Sequence, residues 1–204
     1  SRRFILIAGD DHATSEVRVL DADDGDSRPR LVAAREGGVK YHVAHHEDRF
    51  LILTNADGAE DFKIVEAPLA APGHANWTDV IAHQAGLLIR SMVEFSGHLA
   101  RLERIDGLPR IIIRELASGA EHAIEFGEEA YELGLLPGYE FATLNLRFTY
   151  SSMTTPRRAT PDGPRASPAS PRRRSATACR PGLPPSIRPA AARGAPPGLR
   201  GHRS

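Results

Sequence analysis

Short apolar runs separated by turn residues recur along residues 1–156 of the chain. The runs are rich in β-branched and large apolar side chains, which favour strands. Asp57-Gly58, Asp106-Gly107 and Ser118-Gly119 lie between runs and provide the positive φ angles of tight hairpin turns. No window of a dozen residues has the apolar spacing of an amphipathic helix. The pattern therefore predicts an all-β body.

The runs repeat with the period of a propeller blade. Phe4, Phe50, Leu99 and Phe148 follow one another at spacings of 46, 49 and 49 residues, close to the roughly 40 to 50 residues of a four-stranded blade. The predicted strands are 40–45, 49–54, 62–69 and 77–83 in the second unit, 87–94, 98–104, 109–116 and 121–126 in the third, and 131–135 and 144–150 in the fourth. Residues 1–156 are thus predicted to form an incomplete β-propeller of about three and a half blades, too few to close a ring.

The composition changes abruptly after Pro156. Residues 157–204 contain 10 Pro and 11 Arg, no aromatic residue, and Asp162 as their single acidic residue. Such a segment has too little apolar mass to offset the entropy of ordering its backbone, so we expect a disordered Arg/Pro/Ala-rich tail. Because the break falls inside a half-built blade, the pattern favours an out-of-frame reading of a GC-rich gene over a natural disordered tail or a functional basic arm.

The net charge of zero conceals two opposite halves. Residues 1–156 hold 15 basic and 25 acidic residues, a net charge of −10, and residues 157–204 carry the compensating +10. A negative channel in the body would attract basic peptides. No apolar run approaches the roughly 18 residues of a membrane span, so no membrane partner is predicted. Cys179 is the only cysteine, which excludes an internal disulfide and is compatible with a cytoplasmic location.

No complete catalytic, cofactor or metal site can be assembled from the sequence, and none is assigned. The strand-to-helix serine elbow G-x-S-x-G does not occur, and its nearest counterparts, Ser96 and Ser118, fall in predicted hairpins. The histidines His42, His45, His46 and His83 could suggest a metal centre, but no carboxylate or cysteine is placed to complete it.

Two charged segments could suggest ligand sites, but their residue patterns do not support such sites. The acidic segment Asp21-Ala22-Asp23-Asp24-Gly25-Asp26 resembles the start of a calcium loop, but its glycine comes one position early and Val32 replaces the bidentate glutamate. An acidic hairpin tip is the favoured interpretation. The basic runs Arg157-Arg158 and Arg172-Arg173-Arg174 lack interleaved aromatic residues, so a nucleic-acid partner is not favoured.

Several stretches resemble the propeller of oligopeptidase B-like enzymes, in the prolyl oligopeptidase family of serine peptidases. They are residues 42–59, 62–65, 76–77, 102–109, 126–131 and 146–156. The resemblance implies a seven-bladed propeller that caps an α/β-hydrolase domain and admits only short peptides, which are cleaved after Arg or Lys. It also implies that the chemistry lies in a domain to which nothing here aligns.

The leading hypothesis is therefore a portion of a substrate-gating propeller that is inactive alone. Its expected partners are the remaining blades, the hydrolase domain and, in the complete enzyme, short basic peptides. The alternative is a non-enzymatic binding module whose basic tail contacts protein or nucleic acid. Either way, the unpaired strand near Tyr150 and the open blade faces are expected to promote self-association.

Overall fold

The structure is a computed structural model that describes residues 2–126, 128, 130–136 and 140–156. The described part folds into antiparallel sheets with one 3₁₀ turn at His74–Asn76, which confirms the all-β prediction. No helix in this part is long and apolar enough to cross a membrane. The predicted tail at 157–204 lies outside the described residues. The strands are β1 (Phe4–Asp10), β2 (Ser15–Asp21), β3 (Arg30–Ala33), β4 (Tyr41–His46), β5 (Arg49–Thr54), β6 (Lys63–Pro68), β7 (Thr78–Ile81), β8 (Leu87–Glu94), β9 (His98–Ile105), β10 (Leu108–Glu115), β11 (Glu121–Ala123), β12 (Tyr131–Leu135) and β13 (Phe148–Ser152).

These strands form four sheets in chain order. Sheet 1 contains β1–β3, sheet 2 contains β4–β7, sheet 3 contains β8–β11 and sheet 4 contains β12 and β13. Within each sheet every strand pairs with the next one along the chain, so each sheet is an antiparallel meander. Sheets 2 and 3 are the complete four-stranded units that the sequence period predicts.

Sheet 1 corresponds to the second, third and fourth strands of sheet 2. A register shift interrupts the β2–β3 pairing between Val17 and Arg18, and the same irregularity interrupts the β6–β7 pairing between Ile64 and Val65. Aligning these two irregularities makes β1 the counterpart of β5 and places Ile5 where Phe50 lies.

The predicted equivalence of Phe4 is consequently wrong by one residue. Phe50 packs towards sheet 1, whereas Phe4 packs towards sheet 2 and lies 5.7 Å from the Phe50 ring. Leu99 and Phe148 pack towards the preceding sheet as Phe50 does. Phe4 begins the uninterrupted apolar run Phe4-Ile5-Leu6-Ile7, so the sequence could not establish which of these residues faces the neighbouring sheet.

Three apolar clusters join each sheet to the next. Phe50 and Ile52 in β5 point towards sheet 1, while Leu51 and Leu53 in the same strand point towards sheet 3. All four side chains are almost fully buried. A strand covered on both faces needs apolar residues at every position, which explains the uninterrupted run in β5.

The last strand begins later than the sequence predicts. Residues 144–150 are predicted to be strand, but β13 starts at Phe148, which pairs with Leu135 at the end of β12. Among the described residues, 144–147 are not paired with a strand, although the Leu136 amide donates a hydrogen bond to the Arg147 carbonyl at 3.1 Å. Leu144 is 54% exposed.

Sheet 3 contains a buried ion network. Glu103 is 1% exposed and accepts hydrogen bonds from Arg101 Nε at 2.8 Å and from Arg110 at 2.6 Å. The Arg101 guanidinium also donates two hydrogen bonds, at 2.9 and 2.8 Å, to the Glu121 carboxylate, which binds Arg114 as well. Glu121 carries this network from β9 to β11, the last strand of the sheet.

Candidate functional site

The first strands of sheets 2, 3 and 4 lie next to one another. β4 contacts β8, and β8 contacts β12. A cavity of about 290 Å³ opens between β1, β4 and β8. Its walls are formed by Phe4, Leu6, His42, Val43, Ala44, His45, Leu53, Ser91, Met92 and Glu94. In a propeller the first strands surround the central axis, so β4, β8 and β12 are the strands expected to face the channel, whereas β1 is the counterpart of the second strand β5.

The cavity combines an apolar wall with a few polar groups. Burial raises the pKa of the Glu94 carboxyl above its ordinary value, and the nearby His46 acts in the opposite direction. Burial also lowers the pKa of His45, although a hydrogen bond between its Nε2 and the Glu47 carbonyl, 2.9 Å away, opposes this change. Binding of a cationic group stabilises a carboxylate that has lost part of its hydration.

The buried His46 side chain connects two parts of the structure. The side chain is 2% exposed, and Nε2 lies 3.1 and 3.2 Å from the carbonyl oxygens of Phe95 and Ser96, to which it donates. Phe141 approaches the imidazole edge-on, with ring centroids 5.4 Å apart. His46 therefore joins the end of β4 to the turn between β8 and β9.

The other three histidines considered as metal ligands do not lie together in one site. His42 and His45 both line the cavity, whereas His83 follows β7 and accepts a hydrogen bond at 3.4 Å from the amide of Asp61, in the connection between β5 and β6. Within the part of the chain that the structure describes, no group of three or more His, Cys, Asp or Glu side chains could hold a metal ion.

The acidic segment 21–26 lies at the end of β2 and in the loop that leads to β3. Its carboxylates accept hydrogen bonds from the loop itself. The Asp23 amide donates to Asp21, and the Asp26 amide donates to Asp24, both at 3.1 Å. Aspartate side chains commonly stabilise turns by accepting a hydrogen bond from the backbone amide two residues later, as they do here.

The two serines considered as nucleophiles lie in turns, as predicted. Ser96 is in the turn between β8 and β9, and its amide donates to the Phe141 carbonyl at 2.9 Å. Ser118 lies between β10 and β11, where its hydroxyl donates to the Glu115 carboxylate. Neither serine has the strand-to-helix setting of a hydrolase nucleophile.

Sequence reasoning did not single out Glu94, which ends β8 and lines the cavity. It also missed the ion network of Arg101 and Glu103. The sequence contained a signal for this network, because residues 99–103 of β9 carry two opposite charges at alternate positions in an otherwise apolar run. Opposite charges on one face of a predicted buried strand indicate an internal pair.

A family model described as the N-terminal β-propeller domain of prolyl oligopeptidase matches residues 1–159. The chain belongs to the prolyl oligopeptidase family. Dipeptidyl aminopeptidase BI of Pseudoxanthomonas mexicana is 35% identical over 157 residues, covering 76% of this chain and 21% of that protein. Protease 2 of Moraxella lacunata is 29% identical, with coverages of 77% and 22%. This member of the family thus spans about a fifth of the length of these curated relatives.

Solved structures show the same relationship. Oligopeptidase B from Trypanosoma brucei, with covalently bound antipain, has a TM-score of 0.70 and 28% identity, covering 76% of this chain and 23% of that one. Oligopeptidase B from Leishmania major has a TM-score of 0.68 and 27% identity, with coverages of 76% and 23%. The resemblance to oligopeptidase B and the propeller fold are confirmed.

Proposed function

We propose that residues 1–156 form part of the channel wall of an oligopeptidase B-like serine peptidase that cleaves short peptides after Arg or Lys. The observation that carries the proposal is the succession of β4, β8 and β12, the first two of which line a cavity, in a chain that matches the propeller domain. Strands in this position line the route along a propeller axis. The proposed role is to admit short peptides and exclude folded proteins.

The preference for basic peptides is supported by the charge of the body. Residues 1–156 hold 25 acidic and 15 basic residues. Glu94 lies at the cavity, and no Lys or Arg is among the residues that line it. Negative potential focused in a cleft raises the local concentration of cationic substrates.

In this proposal the chemistry is supplied by an α/β-hydrolase domain that lies outside this sequence. The chain contains no G-x-S-x-G elbow, so it provides neither the nucleophile nor the oxyanion hole of such a site. The remaining blades and the hydrolase domain are its proposed partners. The proposed location is the cytoplasm, with which the single Cys179 is compatible.

The first test is an activity assay on the purified 204-residue chain. We expect no hydrolysis of chromogenic peptides linked through Arg or Lys. Turnover that copurifies with the chain and is abolished by a serine-directed covalent inhibitor would show that it has a nucleophile of its own, and would refute the proposal.

The second test places the chain in a complete enzyme. A chimera of Trypanosoma brucei oligopeptidase B, with its matching segment replaced by residues 1–156, should cleave short Arg-linked peptides and spare a folded protein. Glu94→Gln in this chimera should lower kcat/KM for the Arg-linked peptide by about three-fold at low salt, with less effect at high salt.

The matched control is Glu125→Gln, which removes the same charge at an exposed position. Equal effects of the two substitutions would show that total charge, rather than Glu94 at the cavity, governs substrate attraction. Cleavage of the folded protein by the chimera would argue against gating.

A further inference from the structure

Five arginines lie in the strands of sheet 3, and they fall into two groups. Three belong to the buried ion network and donate to carboxylates at 2.6 to 2.9 Å; they are Arg101, Arg110 and Arg114. The other two, Arg90 and Arg104, share the carboxylate of Glu132, at 3.6 and 3.8 Å. Both distances are longer than a hydrogen bond, so Glu132 leaves the donors of these two guanidinium groups available.

The Arg90–Glu132–Arg104 cluster lies at the inner strands of sheets 3 and 4. Arg90 is in β8 and Glu132 in β12, the first strands of their sheets, and Arg104 is near the end of β9. A bulge at Arg90 interrupts the pairing of β8 with β9, and bulges redirect side chains and are frequent beside functional sites. The side chains of Arg90 and Arg104 are 42% and 38% exposed. Since first strands surround the axis of a propeller, the cluster belongs to the proposed channel wall.

The cluster carries an excess of positive charge, with two guanidinium groups and one carboxylate. Nε of Arg104 is buried and has no hydrogen-bond partner among the described residues. A guanidinium group presents its donors in a planar fork that matches the two oxygens of a carboxylate. Two cations that share one anion repel each other, so a second carboxylate would relieve this repulsion and accept hydrogen bonds from the available donors.

We propose that Arg90 and Arg104 bind a carboxylate of the peptide substrate. This inference rests on the proposed function and adds a second recognised group to the basic residue at the cleavage point. The C-terminus of a peptide and an acidic side chain present the same chemistry. Residues 1–156 hold 25 acidic and 15 basic residues, so the body attracts the basic part of a peptide and repels its carboxylate. A local positive cluster therefore orients the peptide in the channel.

The Trypanosoma brucei chimera that carries residues 1–156 tests this inference with three peptides of one sequence. Each contains a single Arg; one ends in a free carboxylate, one in an amide, and one in an amide that follows an added Glu. At low salt, kcat/KM for the free acid should exceed that for the plain amide by about five-fold. The peptide with Glu distinguishes the sources, because it matches the free acid only if a side-chain carboxylate is also bound.

Substitutions then locate the effect. Arg90→Gln or Arg104→Gln should bring the ratio of acid to amide close to one and leave kcat/KM for the amide unchanged. The matched control is Arg18→Gln, at an exposed position of β2 in sheet 1, which should leave the ratio unchanged. Equal cleavage of acid and amide by the unsubstituted chimera overturns the inference. A ratio that survives Arg90→Gln, or that Arg18→Gln lowers as much, also overturns it.

A binding measurement separates this inference from the proposed function. If the chimera cleaves no Arg-linked peptide, the proposed function fails, and titration of the full 204-residue chain with a tripeptide decides the inference. The side-chain Nε–H signals of Arg90 and Arg104 in nitrogen-15 NMR spectra, assigned from their absence in the Gln variants, should shift with the free acid and not with the amide. Signals that stay in place, or that shift equally with both peptides, overturn the inference.

Discussion

Replacing Glu103 by Gln removes the central charge of the ion network in sheet 3 and almost preserves the side-chain volume. Glu103 is 1% exposed and accepts from both Arg101 and Arg110, at 2.8 and 2.6 Å. The glutamine can accept through one oxygen only, and its amide group brings donors to a place that already holds two guanidinium groups. Arg101, which is itself buried, retains Glu121 as its only carboxylate partner in the network.

The expected loss of unfolding free energy is about 3 kcal/mol, the low end of the range for breaking one side of a buried ion pair. It is placed there because Arg101 keeps its two hydrogen bonds to Glu121. For a body of this size, such a loss lowers the melting temperature by about 6 to 12 °C. Urea unfolding followed by the fluorescence of Trp77, the only tryptophan, measures the change.

The matched control is Glu132→Gln. Glu132 is 56% exposed and lies 3.6 Å from Arg90 and 3.8 Å from Arg104, so it forms a surface pair. Its replacement should cost less than about 1 kcal/mol. If Glu103→Gln changes the unfolding free energy no more than Glu132→Gln does, the buried network does not stabilise the sheet and the reasoning is refuted.

Two further substitutions test the cavity and the contact between sheets 1 and 2. Burial holds the pKa of Glu94 above its ordinary value of 4.5, so the folded state binds a proton more tightly than the unfolded state does. The free energy of unfolding therefore falls as the pH rises from 4.5 through the pKa of the folded state. Glu94→Gln should therefore raise the urea midpoint at neutral pH and leave it unchanged well below pH 4.5; a lower midpoint at neutral pH would contradict this. The Tyr41 hydroxyl accepts from the Val17 amide at 2.8 Å and donates to the Ala33 carbonyl at 2.6 Å. Tyr41→Phe should thus cost about 2 kcal/mol by leaving buried backbone groups without a partner. An effect as small as that of Tyr150→Phe, at a partly buried position, would count against it.

Much of the architecture was predictable from local patterns. Six of the eight strands of sheets 2 and 3 were predicted to within one residue at each end, because Gly58 and Gly107 follow turn residues with positive φ and the runs between turns are apolar. The predicted strands 77–83 and 121–126 extend two and three residues beyond the ends of β7 and β11. The period of 46 to 49 residues predicted the succession of four-stranded units. Ser96 and Ser118 were correctly placed in turns for the same reason.

The candidate site was less predictable, since it is formed by residues distant in the sequence. Glu94, His42 and Leu6 lie in three different sheets and meet only when β1, β4 and β8 come together around the cavity. Turn chemistry and apolar periodicity are local signals that contain no information about which strands become neighbours.

The sequence determined only in part which side chains of a strand pack against a neighbouring sheet. Phe4-Ile5-Leu6-Ile7 and Phe50-Leu51-Ile52-Leu53 read alike, and apolar residues at every position predict strands covered on both faces. The tertiary structure decided that Phe50 and Leu51 have a sheet on either side, whereas Ile5 and Ile7 remain about half exposed. It also decided that Ile5, rather than Phe4, is the counterpart of Phe50. The physical reason is that a side chain's direction alternates with every residue, so a one-residue difference in register changes the face without changing the apolar pattern.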